Sequence, residues 1–369
     1  MGEDSNGGSI SRREFLKKGG VLSVGAFALS SVPPSLDRVR AYGIASSVEE
    51  VYKDTPRNPL SEDVAVSYEA GAMMTASGVG TNLALKHVYG VEPRIQAGTS
   101  AASSNVVAFT AGLDQFCESI WLDYVSRPPF ANGVKGFLSL FSDVSYFSTS
   151  SLVDEIFSNQ GLIPRIKQTE SELVLATLNS KNGSLKYHSS KKDSSYFFDA
   201  LQDIVLSNMA EPITHAHNID VYTGQEVEPC FDPFYGETII HKYPGMQDMI
   251  KIYVATRTDD QVRYQGGNGW KRSVREWMSL RNAEYDAKRE LIKDIKQTSL
   301  KDRKRMKDQE HSVFLQPTTQ RSRTNTRATY ISDSIRRGFL ESVHSKELQD
   351  LLGVTPDTEK AYKAVRLNE

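Results

Sequence analysis

Arg94-Ile95-Gln96-Ala97-Gly98-Thr99-Ser100-Ala101-Ala102 is the stretch that decides the fold. Arg94 to Ala97 reads as a short strand, and Ala101 to Ala111 as a helix of small and apolar residues closed by Gly112 at its C′ position. Between them Gly98-Thr99-Ser100 makes a sharp strand-to-helix turn. Such an elbow lifts Ser100 Oγ to the carboxyl edge of a sheet, where the N–H groups and positive end of the following helix stabilise developing negative charge. Glycine at 98 permits the tight turn, while Ala102 adds a methyl where helix and strand approach closely. Working outward, Val64-Ala65-Val66 is a buried strand, followed by the small-residue stretch Gly71 to Gly80 and a helix around Leu83 to His87. Two strand–turn–helix units in succession predict an α/β fold on a mostly parallel sheet.

Further along, Leu173 to Leu178 and Leu185 to Tyr187 flank Asn182-Gly183, a hairpin signal. Phe197 to Met209 has helical spacing and is stopped by Pro212, and Ile250 to Ala255 is another strand. Lys271 to Glu310 carries 13 basic and 8 acidic residues, a local excess of 13 − 8 = +5. Its ordinary reading is a solvated helix or helix pair, with contact to anionic lipid headgroups as the functional alternative.

Composition excludes several classes. With 39% hydrophobic and 24% charged residues among 369, the chain has enough apolar material for a large core and is neither disordered nor fibrous. A net charge of −2 gives no overall field to attract nucleic acid. Two cysteines cannot build a disulfide scaffold or a thiolate zinc site; Cys117 and Cys230 read as separate buried thiols, with a mutual disulfide as the alternative. His215 and His217 with Asp220 sketch a metal site, although hydrogen-bonded histidines are the commoner outcome. No metal or organic cofactor is implied.

Ser11-Arg12-Arg13-Glu14-Phe15-Leu16-Lys17-Lys18, followed by an uncharged stretch from Gly19 to Val32, resembles a twin-arginine export signal. Cleavage is expected near Ala41 or Ala45, and the protein would then cross a bacterial inner membrane already folded, to work in the periplasm or outside the cell. The expected organisation is therefore a signal peptide over 1–45, a polar lead-in over 46–61, one α/β domain over 62–320 that includes the charged segment, and a helical segment over 321–369.

From Val64 to Gly112, and more loosely to Pro317, the order of blocks resembles the patatin-like phospholipase family. Ser207-Asn208-Met209-Ala210-Glu211-Pro212 is similar to the family's A-S-x-A-x-P block, and Val313 to Pro317 to its late strand. Gly224 and Glu228 lie in the loop that follows Pro212. The resemblance implies a three-layer α/β/α fold and a serine lipid acyl hydrolase with a Ser-Asp dyad, acting on lipid or small ester substrates. Carried over residue by residue, it makes Ser100 the nucleophile, Gly98 the elbow glycine, and Gly71, Ala72 and Ala101 the backbone donors for the oxyanion.

Two departures bear on activity. The family's G-G-G-x-R-G turn is replaced here, with Tyr68, Glu69 and Ala70 at the glycines, Ala72 at the arginine and Met73 at the last glycine; Glu69 would set negative charge beside a forming oxyanion. The D-G-G turn that carries the acid is replaced by Val227-Glu228-Pro229-Cys230-Phe231-Asp232-Pro233, in which Glu228 aligns best and Asp232 has the expected chemistry four residues later. Losing both motifs is also what a patatin-like fold that binds lipid or a partner without catalysis would look like. A Ser-His-Asp triad would need His311 or His344 after Asp232, and nothing around either histidine favours it.

Overall fold

The computed structural model describes residues 43–126, 149–179, 184–209, 217–219, 228–264, 299–321, 325 and 327–366. Its core is an eight-stranded sheet: β1 Val64–Tyr68, β2 Ile95–Gly98, β3 Glu172–Asn179, β4 Leu185–Ser189, β5 His217–Ile219, β6 Glu228–Phe231, β7 Ile250–Val254 and β8 Ser312–Leu315. The order is β5-β6-β3-β2-β1-β7-β8, with β4 also paired to β3. β3, β2, β1, β7 and β8 run parallel, while β4 and β6 pair antiparallel with β3, and β5 with β6. Every residue of β1 and β2 is buried, as expected of parallel strands covered on both faces.

The helices are α1 Ala45–Val51, α2 Ala76–Leu83, α3 Ala102–Thr110, α4 Asp114–Ser119, α5 Thr149–Phe157, α6 Leu162–Gln168, α7 Ser194–Met209 and α8 Asp259–Tyr264. After them come α9 over 299–307, α10 Ala328–His344, α11 Lys346–Leu352 and α12 Thr358–Val365. Most cover one face, where Val64, Val66, Leu173, Leu175 and Ile252 meet Val79, Val106, Leu201 and Phe339. The other face, presenting Ala65, Ala97, Val174 and Tyr253, is closed by Ile239, Ile240, Tyr243 and Met246 of an irregular segment and by Met306 of α9. The expected α/β class with a mostly parallel sheet is the fold observed.

Three elements differ from expectation. The helix placed at 83–87 begins instead at Ala76 and holds Gly78 and Gly80, because α10 crosses so closely that a Cβ on Gly80 would lie 1.8 Å from the Ile335 carbonyl oxygen. Across the expected boundary between signal peptide and lead-in, Ala45–Val51 is helical and Val48 is fully buried. At its start, Ile44 and Ala45 donate their N–H groups to the buried Glu118 carboxylate at 2.7 and 3.0 Å. Of the charged segment, 299–307 is not a solvated helix, since Arg303 and Met306 are buried against the sheet. The hairpin of β3 and β4 forms, while its Asn182-Gly183 turn lies outside the described residues.

Candidate active site

Strands β1, β2 and β7 end at one edge, where α/β sheets hold their ligands. Ser100 follows β2 with φ +55, a left-handed backbone that costs a non-glycine residue about 1 kcal/mol or more. Its carbonyl accepts from Ser103 N at 2.9 Å and Ser103 Oγ at 2.6 Å, which holds the elbow shut. A Cβ on Gly98 would stand 2.7 Å from the Ala102 carbonyl oxygen, so only glycine lets α3 pack this near β2. Ser100 is half-buried, and among the described residues nothing is hydrogen-bonded to its Oγ.

The turn after β1 faces the elbow. Ala72 is also left-handed, with φ +48, so two of the three described non-glycine residues with positive φ lie at this edge. Ala70 N and Thr99 Oγ1 both donate to the Thr238 carbonyl, at 3.0 and 2.6 Å, which joins the turn to the elbow. Among the described residues the N–H groups of Gly71, Ala72 and Ala101 have no protein acceptor. They are available to a substrate oxygen lying over Ser100, with the N-terminus of α3 behind it.

The carboxylate candidates separate by register. Phe231 pairs with Leu178, so Asp232 stands level with Thr177; Gly98 pairs with Leu175, so Ser100, two residues on, reaches that same level. Glu228 opens β6 against Ile219, four residues or about 13 Å farther out along the strand. Asp232 is buried, and its Oδ1 accepts from Phe234 N at 2.9 Å. From there the chain returns over β3, Gly236 lying against Leu178, to the Thr238 carbonyl at the elbow.

Glu69 does not face the oxyanion turn as a bare charge. It is fully buried, accepts from Thr256 N at 2.7 Å and Thr256 Oγ1 at 3.1 Å, and pairs with Arg257 and with both Arg303 contacts, at 2.6 and 2.7 Å. Burial would raise its carboxyl, yet the two guanidiniums override this and hold it at about 2. Arg257 in turn lies 5.1 Å over the Phe234 ring, in the turn that begins at Asp232. Sequence reasoning misses Thr256, Arg257, Arg303 and Thr238. The available signal is the polar run Thr256 to Asp259 directly after a buried strand, at a strand's carboxyl end.

No histidine serves this edge as a triad base among the described residues. His311 precedes β8 at the amino end of the parallel sheet, and His344 is exposed at the end of α10, its ring tilted against Tyr362. His188 is fully buried and contacts Thr177 and Tyr196 through its two ring nitrogens; burial first, then Lys186, depresses it to about 3. Of the sketched metal set, His217 lies on β5, while His215 and Asp220 are outside the described residues. Glu49, His87 and Asp114 do approach one another, but Lys86 occupies the Asp114 carboxylate as its cation. Cys117 and Cys230 are buried and not joined to each other. Ala210 to Pro212 and Gly224 also fall outside the described residues.

No family model matches the chain, and no curated protein matches it. Among solved structures, VipD from Legionella pneumophila is similar over 80% of this chain and 67% of its own, at 12% identity and a TM-score of 0.39. A likeness that distant does not bear on activity.

Proposed function

We propose that this protein is a serine acyl hydrolase that cleaves ester bonds of lipids or small esters through a Ser100–Asp232 dyad. The left-handed backbone of Ser100, on a glycine-dependent turn between β2 and the buried helix α3, carries this reading. Strain is held at a serine facing N–H groups that, among the described residues, have no protein acceptor, the arrangement that acyl transfer needs. Asp232 is preferred to Glu228 because the pairing register favours it, and no described histidine competes at this edge.

The chemistry follows from these groups. Ser100 Oγ attacks the ester carbonyl carbon while its proton passes to the Asp232 carboxylate. The carbonyl oxygen, now negative, is held by N–H groups of Gly71, Ala72 and Ala101. Collapse breaks the bond to the alcohol, which leaves with the proton from Asp232. Water, giving its proton to the same carboxylate, then releases the acid and restores Ser100.

Export by the twin-arginine route, with the protein acting outside the cytoplasm, is the location we propose from Ser11 to Lys18 and the uncharged stretch after it. No helix among the described residues is long and apolar enough to cross a membrane. The basic excess of 271–310 supports peripheral contact with anionic lipid, for which added sodium chloride should weaken pelleting with anionic vesicles.

The deciding experiment is fluorophosphonate labelling of the folded protein with the adduct located by mass spectrometry. An adduct on Ser100, lost in Asp232→Asn and kept in Glu228→Gln, supports the dyad. A folded protein that takes no label turns the reading to a patatin-like fold that binds lipid without hydrolysis.

A further inference from the structure

We infer that Thr256, held by Glu69, is a positioning residue for the oxyanion turn. This rests on the acyl-hydrolase reading above and gives that site a part the sequence did not show.

Thr256 lies two residues past the end of β7, beside β1, with which that strand pairs in parallel. Its N–H donates to Glu69 Oε2 at 2.7 Å, and its hydroxyl shares one proton between that oxygen, at 3.1 Å, and the Ala70 carbonyl, at 2.8 Å. The side chain therefore bonds to the residue directly before the proposed donors. It also presses on them: a Cβ at Gly71 would lie 2.4 Å from Thr256 Oγ1 and 2.8 Å from its Cβ, so the turn is moulded on this threonine. The strained Ala72 follows at once. A donor must sit within a few tenths of an ångström of its place to act on an oxyanion, and residues that never touch substrate can set that place.

Glu69 fixes Thr256 from beneath, and its own charge is balanced. Arg257 and Arg303 bring two buried positive charges to one buried carboxylate, with Asp259, one-third exposed, on the far side of Arg303. The two guanidiniums match the two carboxylates, so the assembly under the turn sets no bare negative charge against an oxyanion above it. Arg257 reaches the Asp232 turn through Phe234, so the same carboxylate braces both sides of the site.

The test is ester hydrolysis by four full-length proteins: wild type, Thr256→Val, Thr256→Ser and Ser100→Ala, with thermal melting to confirm that each is folded. Valine keeps the shape and removes the hydroxyl; serine keeps the hydroxyl. Thr256→Val is expected to lower kcat by about 10- to 100-fold with KM within threefold, and Thr256→Ser to restore kcat to within about fivefold of wild type. Wild-type kcat in the valine variant overturns the inference, as does a loss that serine fails to rescue or one that appears mainly in KM. Activity that survives Ser100→Ala removes the hydrolase reading itself, and this inference with it. Ser100-dependent activity indifferent to Thr256→Val removes the inference alone.

Discussion

Ser100 pays for its exposure in backbone strain, and that strain can be measured apart from activity. Ser100→Gly removes the left-handed penalty and the nucleophile together. It is expected to raise stability by about 0.5–1 kcal/mol in denaturant titration while abolishing fluorophosphonate labelling. Asp232→Asn is expected to lower kcat at least 100-fold, against less than threefold for Glu228→Gln, in the same ester assay. Gly98 and Ser100 are legible in the sequence because an elbow is local: strand, glycine and helix lie within a dozen residues. Glu69 is misread there for the converse reason. Its cations, Arg257 and Arg303, are 188 and 234 residues away, so a charge that looks exposed to the oxyanion is neutralised by contacts that no spacing reveals.

The elements are readable wherever one periodicity dominates. β1, β2, β3 and β7 are short, mostly apolar runs, and each forms within a residue or two of its expected limits. α2 escapes because its glycines read as a turn. They serve instead a helix crossing at which backbone meets backbone: Gly80 of α2 against Ile335, and Gly338 of α10 against Ser77, whose oxygen would lie 2.0 Å from an added Cβ. Gly338→Ala is expected to cost more than about 3 kcal/mol or to prevent recovery of folded protein, since the backbones must separate. Gly112→Ala is the contrast. With φ +66 and open space around it, that change costs only the left-handed penalty of about 1 kcal/mol, and denaturant titration of the two variants separates crowding from strain.

For the molecule as a whole, the buried ion clusters set the response to pH. His241 lies between Glu237, at 2.8 Å, and Asp302, at 3.6 Å. Burial would lower its pKa, but the two carboxylates outweigh burial and lift it to about 9. A raised pKa means that the cluster's contribution is complete below the unfolded value of about 6.5 and is lost as pH rises through about 9. The Tm is therefore expected to fall by a few degrees between pH 7 and 10, and His241→Gln to flatten that slope. Glu69 acts in the opposite sense: held at about 2, it contributes above the ordinary carboxylate range and fails only as pH falls toward 2. Neither cluster is legible in the sequence, whose near-zero net charge averages over pairs formed by folding.

The grip of Glu118 on Ile44 and Ala45 bears on how such a chain could be matured. A processing peptidase that favours small residues would accept either Ala41 or Ala45, but cargo of the twin-arginine route folds before it crosses. Folding closes Ile44, 1% exposed, and Ala45, fully buried, over a carboxylate that burial already pushes up. The second alanine is thereby hidden from the enzyme before the two can meet, and for the export proposed above the released chain is expected to begin at Tyr42, as N-terminal sequencing of the exported protein would read. A chain started artificially at Ser46 is expected to melt several degrees below one started at Gly43, because it leaves Glu118 sealed in the interior without the two donors that face it.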